Sequence, residues 1–268
     1  DGTLLNKGSV ISDYTRETLR RLSARGIAYT VATGRTLHAS SDILAGHGFE
    51  LPHVYKNGVM IWAPQEEVFT HQSLLTLDEI QHVLEAIMAQ QVTPFLFTLE
   101  PGNRHAVYHT PLQNDVEKRL AKDFAKRTGV DVRPASEMPA EADITNISAL
   151  GVPARVDPIV TMIENEPHLV AYSGLAMEGD ALRWIDIHHG EASKGSAVDT
   201  LREQLGVSRV LCFGDSDNDL SMFERADESY APENAKEPVK AAATAIIGHH
   251  DEDGIARYLR ERFDLGAD

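Results

Sequence analysis

Short β-rich runs alternate with amphipathic stretches at both ends of this chain, and this alternation constrains the fold more than any other feature. Near the start, the spacing of apolar residues predicts a helix over 11–25 that Gly26 ends, and a strand over 27–33 follows. Near the end, a helix that begins after Ser193 precedes the apolar strand 209–213. Strands joined through helices form parallel sheets with right-handed crossovers. The two flanks therefore predict an α/β fold, with a doubly wound, Rossmann-like parallel sheet.

The middle of the chain has more hairpins and fewer clean crossovers. It opens with a capping-box signature, Thr76 followed by Glu79, which predicts the start of a helix. Further strands and helices are predicted over 94–99, 105–109, 112–127, 144–150, 154–164, 168–173 and 182–188. We therefore predict that 76–186 form an inserted α+β cap domain. The core domain then comprises 1–75 and 187–268.

An acidic composition limits the partners of the chain. Its 41 acidic and 25 basic residues give a net charge of −16, which argues against nucleic acid or an anionic membrane surface as a partner. No apolar run approaches the roughly 20 residues that cross a bilayer. The single cysteine, Cys212, lies in an apolar run and cannot form an internal disulfide. We therefore expect a core role for this thiol and a cytoplasmic location for the protein.

Four short polar motifs lie at predicted strand ends or at a helix start. They are 1–3 (DGT), 33–35 (TGR), 193–195 (SKG) and 214–219 (GDSDND). Sites in open α/β sheets form at the carboxyl ends of the strands, so distant motifs can meet there. Crowded carboxylates repel one another unless a cation lies among them, and hard oxygen ligands suit Mg²⁺. Thr33, the Gly34 N–H and Lys194 could then bind phosphoryl oxygens.

The ordered set of motifs resembles that of the haloacid dehalogenase superfamily. "DGTLL", "TGR", "SKG" and "GDSDND" occur in this order, and a long insert separates the second from the third. The position of the insert is similar to that of the Cof-type branch, as are "KNG" at 56–58, "PENAKEPVKAAA" at 232–243 and "EDGIARYL" at 252–259. The resemblance covers essentially the whole chain. It implies a Mg²⁺-dependent phosphatase that acts on a small phosphorylated metabolite, most simply a sugar phosphate.

The resemblance also implies catalytic and metal-binding roles. Asp1 would protonate the leaving alkoxide, then deprotonate the attacking water, and its backbone carbonyl would contact Mg²⁺. Thr33 would hold the transferring phosphoryl group, and Lys194 would bind it electrostatically. Asp215 would be a direct Mg²⁺ ligand. Asp219 would hold metal-bound waters or orient Lys194.

A second set of residues would contact the substrate. The family pattern places Gly34 and Asn218 against the phosphate, and Asn57, Gly58 and Asn234 are expected as further substrate neighbours. The sequence does not show which residues of the insert determine substrate specificity. The candidates are Arg104, His105, His109 and Glu178.

Simpler structural roles are expected for other polar and aromatic residues near the motifs. Arg35 is expected to form a structural ion pair, and Ser216 or Asp217 to cap the helix that follows. Trp62 and Trp184 are expected in the core or at its rim.

In the family pattern the nucleophile is an aspartate two positions before Asp1, and we expect the natural protein to extend upstream through that residue and the strand that carries it. The mechanism would pass through an aspartyl-phosphate. Two alternatives stay open: a phosphomutase on the same core, and a non-catalytic protein that binds a phospho-ligand or accepts a phosphoryl group. The sequence leaves the oligomeric state open.

Overall fold

A computed structural model of the chain describes residues 1–126, 129–176 and 181–266. It divides into two compact units. The first combines Asp1–Thr70 with Ser193–Asp268, and the second is His71–Ala192. The helices are α1 (Asp13–Ala24), α2 (Leu37–Leu44), α3 (Leu77–Ala89), α4 (Asp115–Ala125), α5 (Pro153–Ile163), α6 (Lys194–Leu205), α7 (Leu220–Phe223), α8 (Glu237–Ala242) and α9 (Gly254–Arg262). The strands are β1 (His53–Tyr55), β2 (Met60–Ala63), β3 (Val68–Gln72), β4 (Phe95–Glu100), β5 (Arg104–His109), β6 (Val130–Pro134), β7 (Asp143–Gly151), β8 (Leu169–Leu175), β9 (Arg183–His189), β10 (Leu211–Phe213), β11 (Glu228–Pro232) and β12 (Ala245–Ile247).

The boundaries of the second unit lie a few residues outside the predicted insert of 76–186. Leu75 forms an antiparallel bridge with Ile144, which ties the segment before α3 to the second unit. At the other end, β9 pairs with both β7 and β8, so the whole strand belongs to their sheet. Strand pairing across the sequence therefore decides where the second unit begins and ends.

The first unit contains the predicted parallel sheet. β11 lies between β10 and β12 and pairs in parallel with both, in the register Cys212 with Ser229 and Tyr230 with Ala245. Helix α6 precedes these strands, α7 and α8 connect them, and α9 follows them. A three-stranded sheet of order β1–β2–β3 comes earlier in the sequence. The predicted α/β class is confirmed.

The predicted strand over 27–33 is only partly formed. Ala32 makes a single parallel bridge with Val54. The Thr33 N–H donates to the Val54 carbonyl at 2.9 Å, and the Val54 N–H donates to the Val31 carbonyl at 2.9 Å. The segment thus runs beside β1 through these few bonds. A strand requires at least two consecutive backbone pairings, and this segment has only the pairing of Ala32 with Val54.

Helix ends in the first unit follow the chemistry of their capping residues. The Ser12 hydroxyl accepts the Thr15 N–H at 3.0 Å and begins α1. The Ser193 hydroxyl accepts the Ser196 N–H at 2.9 Å and begins α6. Gly206 ends α6 in the left-handed conformation. The Ser193 cap therefore fixes the start of α6, where Lys194 is the first residue.

The second unit is built on a six-stranded mixed sheet of order β6–β5–β4–β7–β9–β8. β5 and β6 pair in parallel, and the other neighbours are antiparallel. One face of the sheet packs its apolar side chains with those of α3 and α5. β6 was not predicted, although Val130 and Val132 alternate with polar residues and pack against the apolar cluster that contains Phe95, Phe97 and Phe124.

Among the helices of the described residues, none combines the length and the apolar character needed to cross a membrane.

Candidate active site

The third and fourth motifs meet in a buried ion pair. Lys194 is the first residue of α6, and its Nζ lies 2.5 Å from Asp219 Oδ1, with both side chains less than a tenth exposed. The other oxygen of Asp219 accepts the backbone N–H groups of Asp215 at 2.9 Å and Ser216 at 3.0 Å. The Asp219 carboxylate therefore fixes both the lysine and the loop that carries Asp215. Of the two roles expected for Asp219, these contacts favour the orientation of Lys194 over metal binding.

Hydroxyl groups from two motifs hold the Asp215 carboxylate. The Thr3 hydroxyl donates to Oδ1, and the Ser216 hydroxyl donates to Oδ2 at 3.0 Å. Gly2 lies directly against the same carboxylate. The first and fourth motifs are therefore in contact. Sequence reasoning gave Thr3 no role, although its hydroxyl in the "DGT" motif was the available signal.

Arg35 pairs with Asp1. Its Nε and one terminal nitrogen lie 2.7 Å and 2.5 Å from the two carboxylate oxygens, and its other terminal nitrogen donates to the Ala39 carbonyl at 3.1 Å. A two-point contact of this kind fixes both the position and the orientation of a carboxylate. The ion pair predicted for Arg35 is confirmed, and it joins the second motif to the first.

The second and fourth motifs meet through Asn57. Its backbone N–H donates to the Thr33 carbonyl at 3.0 Å, and its side-chain oxygen accepts from Asn218 Nδ2 at 2.9 Å. The Thr33 hydroxyl accepts the Arg35 N–H at 3.1 Å. Gly34 lies against the Asn57 side chain. Asn57 is thus a bridge between motifs, and a left-handed backbone with φ of 56° presents its side chain there.

Two of the expected substrate neighbours have clear packing roles. A Cβ on Gly58 would lie 2.1 Å from the Ser193 carbonyl oxygen, so this glycine allows the start of α6 to approach the 56–58 turn. Asn234 Nδ2 donates to the Gly2 carbonyl at 2.7 Å, and Asn234 Oδ1 accepts the His250 N–H at 3.1 Å. Both residues position motif segments. Their contact with substrate stays a prediction.

Ser216, Asp217 and Cys212 lie beside the motif residues and have structural contacts of their own. Ser216 caps the short 3₁₀ turn Asp217–Asp219, whereas Asp217 pairs with exposed Lys236 at 2.6 Å, so a capping role for Asp217 is wrong. Cys212 is buried behind the site, and burial, followed by the charge of Asp219, raises the pKa of its thiol to about 12. The core role predicted for Cys212 is confirmed.

The candidate residues for Mg²⁺ fit the ion only in part. Within residues 1–126, 129–176 and 181–266, no group of three or more His, Cys, Asp or Glu side chains is arranged to hold a metal. The carboxylates of Asp1 and Asp219 are engaged by Arg35 and Lys194. Asp215 accepts two hydroxyl protons and keeps further lone pairs on both oxygens. Because Mg²⁺ commonly binds one or two carboxylates and retains several waters, Asp215 fits as its side-chain ligand.

The candidate specificity residues of the second unit have ordinary structural contacts. Arg104 pairs with Glu100 at 3.2 Å across the β4–β5 hairpin. His105 is buried, and His109 Nδ1 lies 2.9 Å from the Thr110 carbonyl oxygen. Glu178 lies outside the described residues. None of these contacts points to a ligand.

Comparison with known proteins identifies relatives over nearly the whole chain. The sequence profile of haloacid dehalogenase-like hydrolases matches residues 1–259. The chain is 27% identical to the 5-amino-6-(5-phospho-D-ribitylamino)uracil phosphatase YitU of Bacillus subtilis, over 99% of this chain and 96% of that one. It is 26% identical to a phosphoglycolate phosphatase of Methanopyrus kandleri, over 97% and 93% of the two chains. The subclass IIB sugar phosphatase BT4131 shares the fold, with a TM-score of 0.75, 22% identity and coverage of 99% and 97%.

Proposed function

Since the chain belongs to the haloacid dehalogenase-like hydrolases, we propose that it is a Mg²⁺-dependent phosphatase of small phosphate monoesters, with sugar phosphates as its main substrates. The observation that supports this most directly is the Lys194–Asp219 pair, whose backbone contacts also fix Asp215. Four motifs far apart in sequence meet within the first unit. They bring together a buried lysine, a hydroxyl-bound carboxylate and a hydroxyl beside a glycine.

The reaction would proceed in two phosphoryl transfers. An aspartate carboxylate, expected two positions before Asp1, would attack phosphorus as the ester P–O bond breaks, and Asp1 would give its proton to the leaving alkoxide. Water would then attack the aspartyl-phosphate, Asp1 would take its proton, and inorganic phosphate would leave with the nucleophile restored. The two-point contact with Arg35 fixes the position and orientation of the Asp1 carboxyl group for both proton transfers.

The remaining residues would bind and orient the phosphoryl group. Lys194 places a cation beside it, and Thr33 with the Gly34 N–H offers hydrogen-bond donors. Asp215 would hold Mg²⁺, which when bound supplies charge neutralisation at the phosphoryl oxygens. Asn57 and Asn218 would shape the wall of the site through their mutual hydrogen bond.

The acidic composition and the single cysteine support the other parts of the proposal. A net charge of −16 favours a small phosphorylated metabolite over nucleic acid or an anionic membrane as partner. One cysteine without a disulfide partner is consistent with a cytoplasmic protein.

A phosphate-release screen over many small esters tests the proposal, with protein expressed from the full-length gene. We expect Mg²⁺-dependent release of free phosphate, with activity lost on chelation. Asp215→Asn and Lys194→Met should each lower kcat/KM by about 10³-fold or more, since such groups act on transition-state charge. Lys236→Met, which removes an exposed lysine, is the matched control and should retain activity.

Other outcomes of the screen would decide between the alternatives. An isomerised ester without free phosphate would indicate a phosphomutase. Stable phosphorylation without turnover would indicate a phosphoacceptor. Metal-independent phosphate release would contradict the assigned role of Asp215.

A further inference from the structure

A polar cluster on the sheet of the second unit is not explained by the proposed reaction. Asp186 lies on β9, and its Oδ1 accepts from Asn146 Nδ2 at 2.6 Å and from the Ser148 hydroxyl at 2.5 Å. Asn146 is fully buried, whereas Asp186 and Ser148 are half-buried. Two donors on the neighbouring strand β7 thus hold one oxygen of a partly accessible carboxylate.

The charge of Asp186 is not balanced by a cation. Throughout the part of the chain that the structure describes, no lysine or arginine forms an ion pair with this carboxylate. The nearest arginine along β9, Arg183, pairs with Asp157 at 3.1 Å. His188, which shares the face of Asp186, packs against Tyr172 with ring centroids 5.3 Å apart. A carboxylate can accept about four hydrogen bonds, so the two neutral donors leave capacity for more. Asp186 is therefore held in place without being saturated.

Aromatic side chains flank this carboxylate on the same face of the sheet. Successive residues of a strand alternate between faces, and residues paired across antiparallel strands share a face. Trp184 therefore lies on the face of Asp186, whereas Ile185 and Ile187 enter the apolar core on the other face. Tyr172, the cross-strand partner of Asp186, is on the same face.

Trp184 is placed as an accessible platform. Its cross-strand partner is Gly174, and a Cβ at Gly174 would lie 3.1–3.2 Å from three atoms of the indole. The absence of a side chain there lets the ring lie over the strand. The indole remains 39% exposed, so of the two positions expected for this tryptophan the core is excluded and the rim fits. An exposed indole beside an unsaturated carboxylate is a combination that serves ligand binding better than packing.

We propose that this face of the second unit, made of Trp184, Asp186, Tyr172, Asn146 and Ser148, binds a sugar or polyol. A sugar carries C–H groups that pack on an aromatic ring and hydroxyl groups that donate to a carboxylate. Hydrogen bonds to an ionised acceptor are stronger than those between neutral groups. The same negative charge disfavours anionic ligands. Asp186 and Trp184 are the contact residues, and Asn146 and Ser148 are positioning residues that orient the carboxylate.

Tryptophan fluorescence tests the proposal without any need for catalysis. The chain has two tryptophans, so a Trp62→Phe background leaves Trp184 as the only emitter. Titration with D-glucose, D-ribose or ribitol should change the Trp184 emission saturably, in the millimolar range. Inorganic phosphate is anionic and cyclohexanol has a single hydroxyl group, so neither compound should change the Trp184 emission saturably.

Variants of the carboxylate sharpen this test. Asp186→Ala should weaken the apparent affinity at least tenfold. The isosteric Asp186→Asn guards against misfolding and should weaken it about three- to tenfold. Glu85→Gln, on the exposed surface of α3, is the control and should bind as the parent does. No saturable response to any of the three probes, an equal response to phosphate or cyclohexanol, or unchanged affinity in both Asp186 variants would overturn the proposal.

The sugar site and the proposed function are tested separately. Absence of turnover together with intact sugar binding contradicts the phosphatase. Turnover of phosphate esters without saturable sugar binding contradicts the site on the second unit.

Discussion

The two polar clusters of this molecule differ in how their carboxylates are balanced. In the first unit, Asp219 accepts from a buried lysine and from two backbone N–H groups. In the second unit, Asp186 accepts from one amide and one hydroxyl on a neighbouring strand. Full compensation fixes a group in place, whereas partial compensation leaves acceptor capacity for a ligand. The same residue type therefore serves as an anchor in one unit and as a candidate binding group in the other.

The largest effect should come from breaking the anchored pair. Lys194→Met leaves Asp219 buried without its cation, which typically costs about 3–5 kcal/mol of stability. The exposed pair between Lys236 and Asp217 is equally close, at 2.6 Å, yet Lys236→Met should cost less than about 1 kcal/mol. Urea unfolding followed by the fluorescence of Trp62, with Trp184 replaced by Phe, measures the first unit directly. Similar losses in the two variants would show that burial is not what distinguishes them.

How far the sequence predicts each cluster follows from where its residues lie. Residues 214–219 carry three acidic groups at the end of one strand, so their crowding is visible in six consecutive letters. Asp186, Asn146 and Ser148 come from two strands separated by about forty residues, and only the β7–β9 register brings them together. A local motif can be read from one segment. A cross-strand cluster requires the pairing, which no single segment encodes.

The same distinction explains the errors in the predicted fold. Helix α6 was predicted correctly because Ser193 and Gly206 supply its own start and stop signals. β6 and the incomplete pairing of 27–33 depend on neighbouring strands. Likewise, Thr3 and Asp215 are 212 positions apart, so their hydrogen bond could not be predicted from either motif alone.

The next largest effect tests the close packing of the first unit. Gly58 has φ of 104°, and a Cβ there would meet the backbone of Ser193. Gly58→Ala should therefore cost about 3 kcal/mol, because the new methyl group is both strained and without room. In the second unit, Gly102 has φ of 80° but open space around it, so Gly102→Ala should cost only about 1 kcal/mol.

Thermal unfolding of Gly58→Ala, Gly102→Ala and the unchanged protein measures this difference in stability. Equal losses would mean that the left-handed backbone alone sets the cost. Such a result would remove the argument that Gly58 is required for the approach of α6.

Alkaline pH should weaken the first unit through its buried thiol. The folded pKa of Cys212 is raised to about 12, from an ordinary value of 9.0. Above pH 9 the unfolded state loses the thiol proton while the folded state keeps it, so stability falls as pH rises. The loss approaches about 1.4 kcal/mol per pH unit between these values. The native protein should lose stability with this slope from pH 9 upward, whereas Cys212→Ala has no thiol and should not. The stability advantage of the native protein over Cys212→Ala should therefore shrink as pH rises. A constant difference across this range would contradict the raised pKa.

The smallest effect compares the helix caps of the two units under acid. In the second unit, the Thr76 hydroxyl and N–H donate to Glu79 at 2.6 Å and 2.7 Å, and these bonds lower the pKa of Glu79 below its ordinary 4.5. The ionised Glu79 side chain stabilises the fold above pH 4.5, and this contribution is lost as pH falls through the lowered pKa of the folded state. Glu79→Gln should therefore cost about 0.5 kcal/mol at pH 7, since solvent screens a partly exposed cap, and nothing at pH 3. In the first unit, Ser196→Ala removes a neutral partner of Ser193, so its cost should not change with pH. Urea titrations at the two pH values separate the cases, because only a charged cap can lose its advantage on protonation.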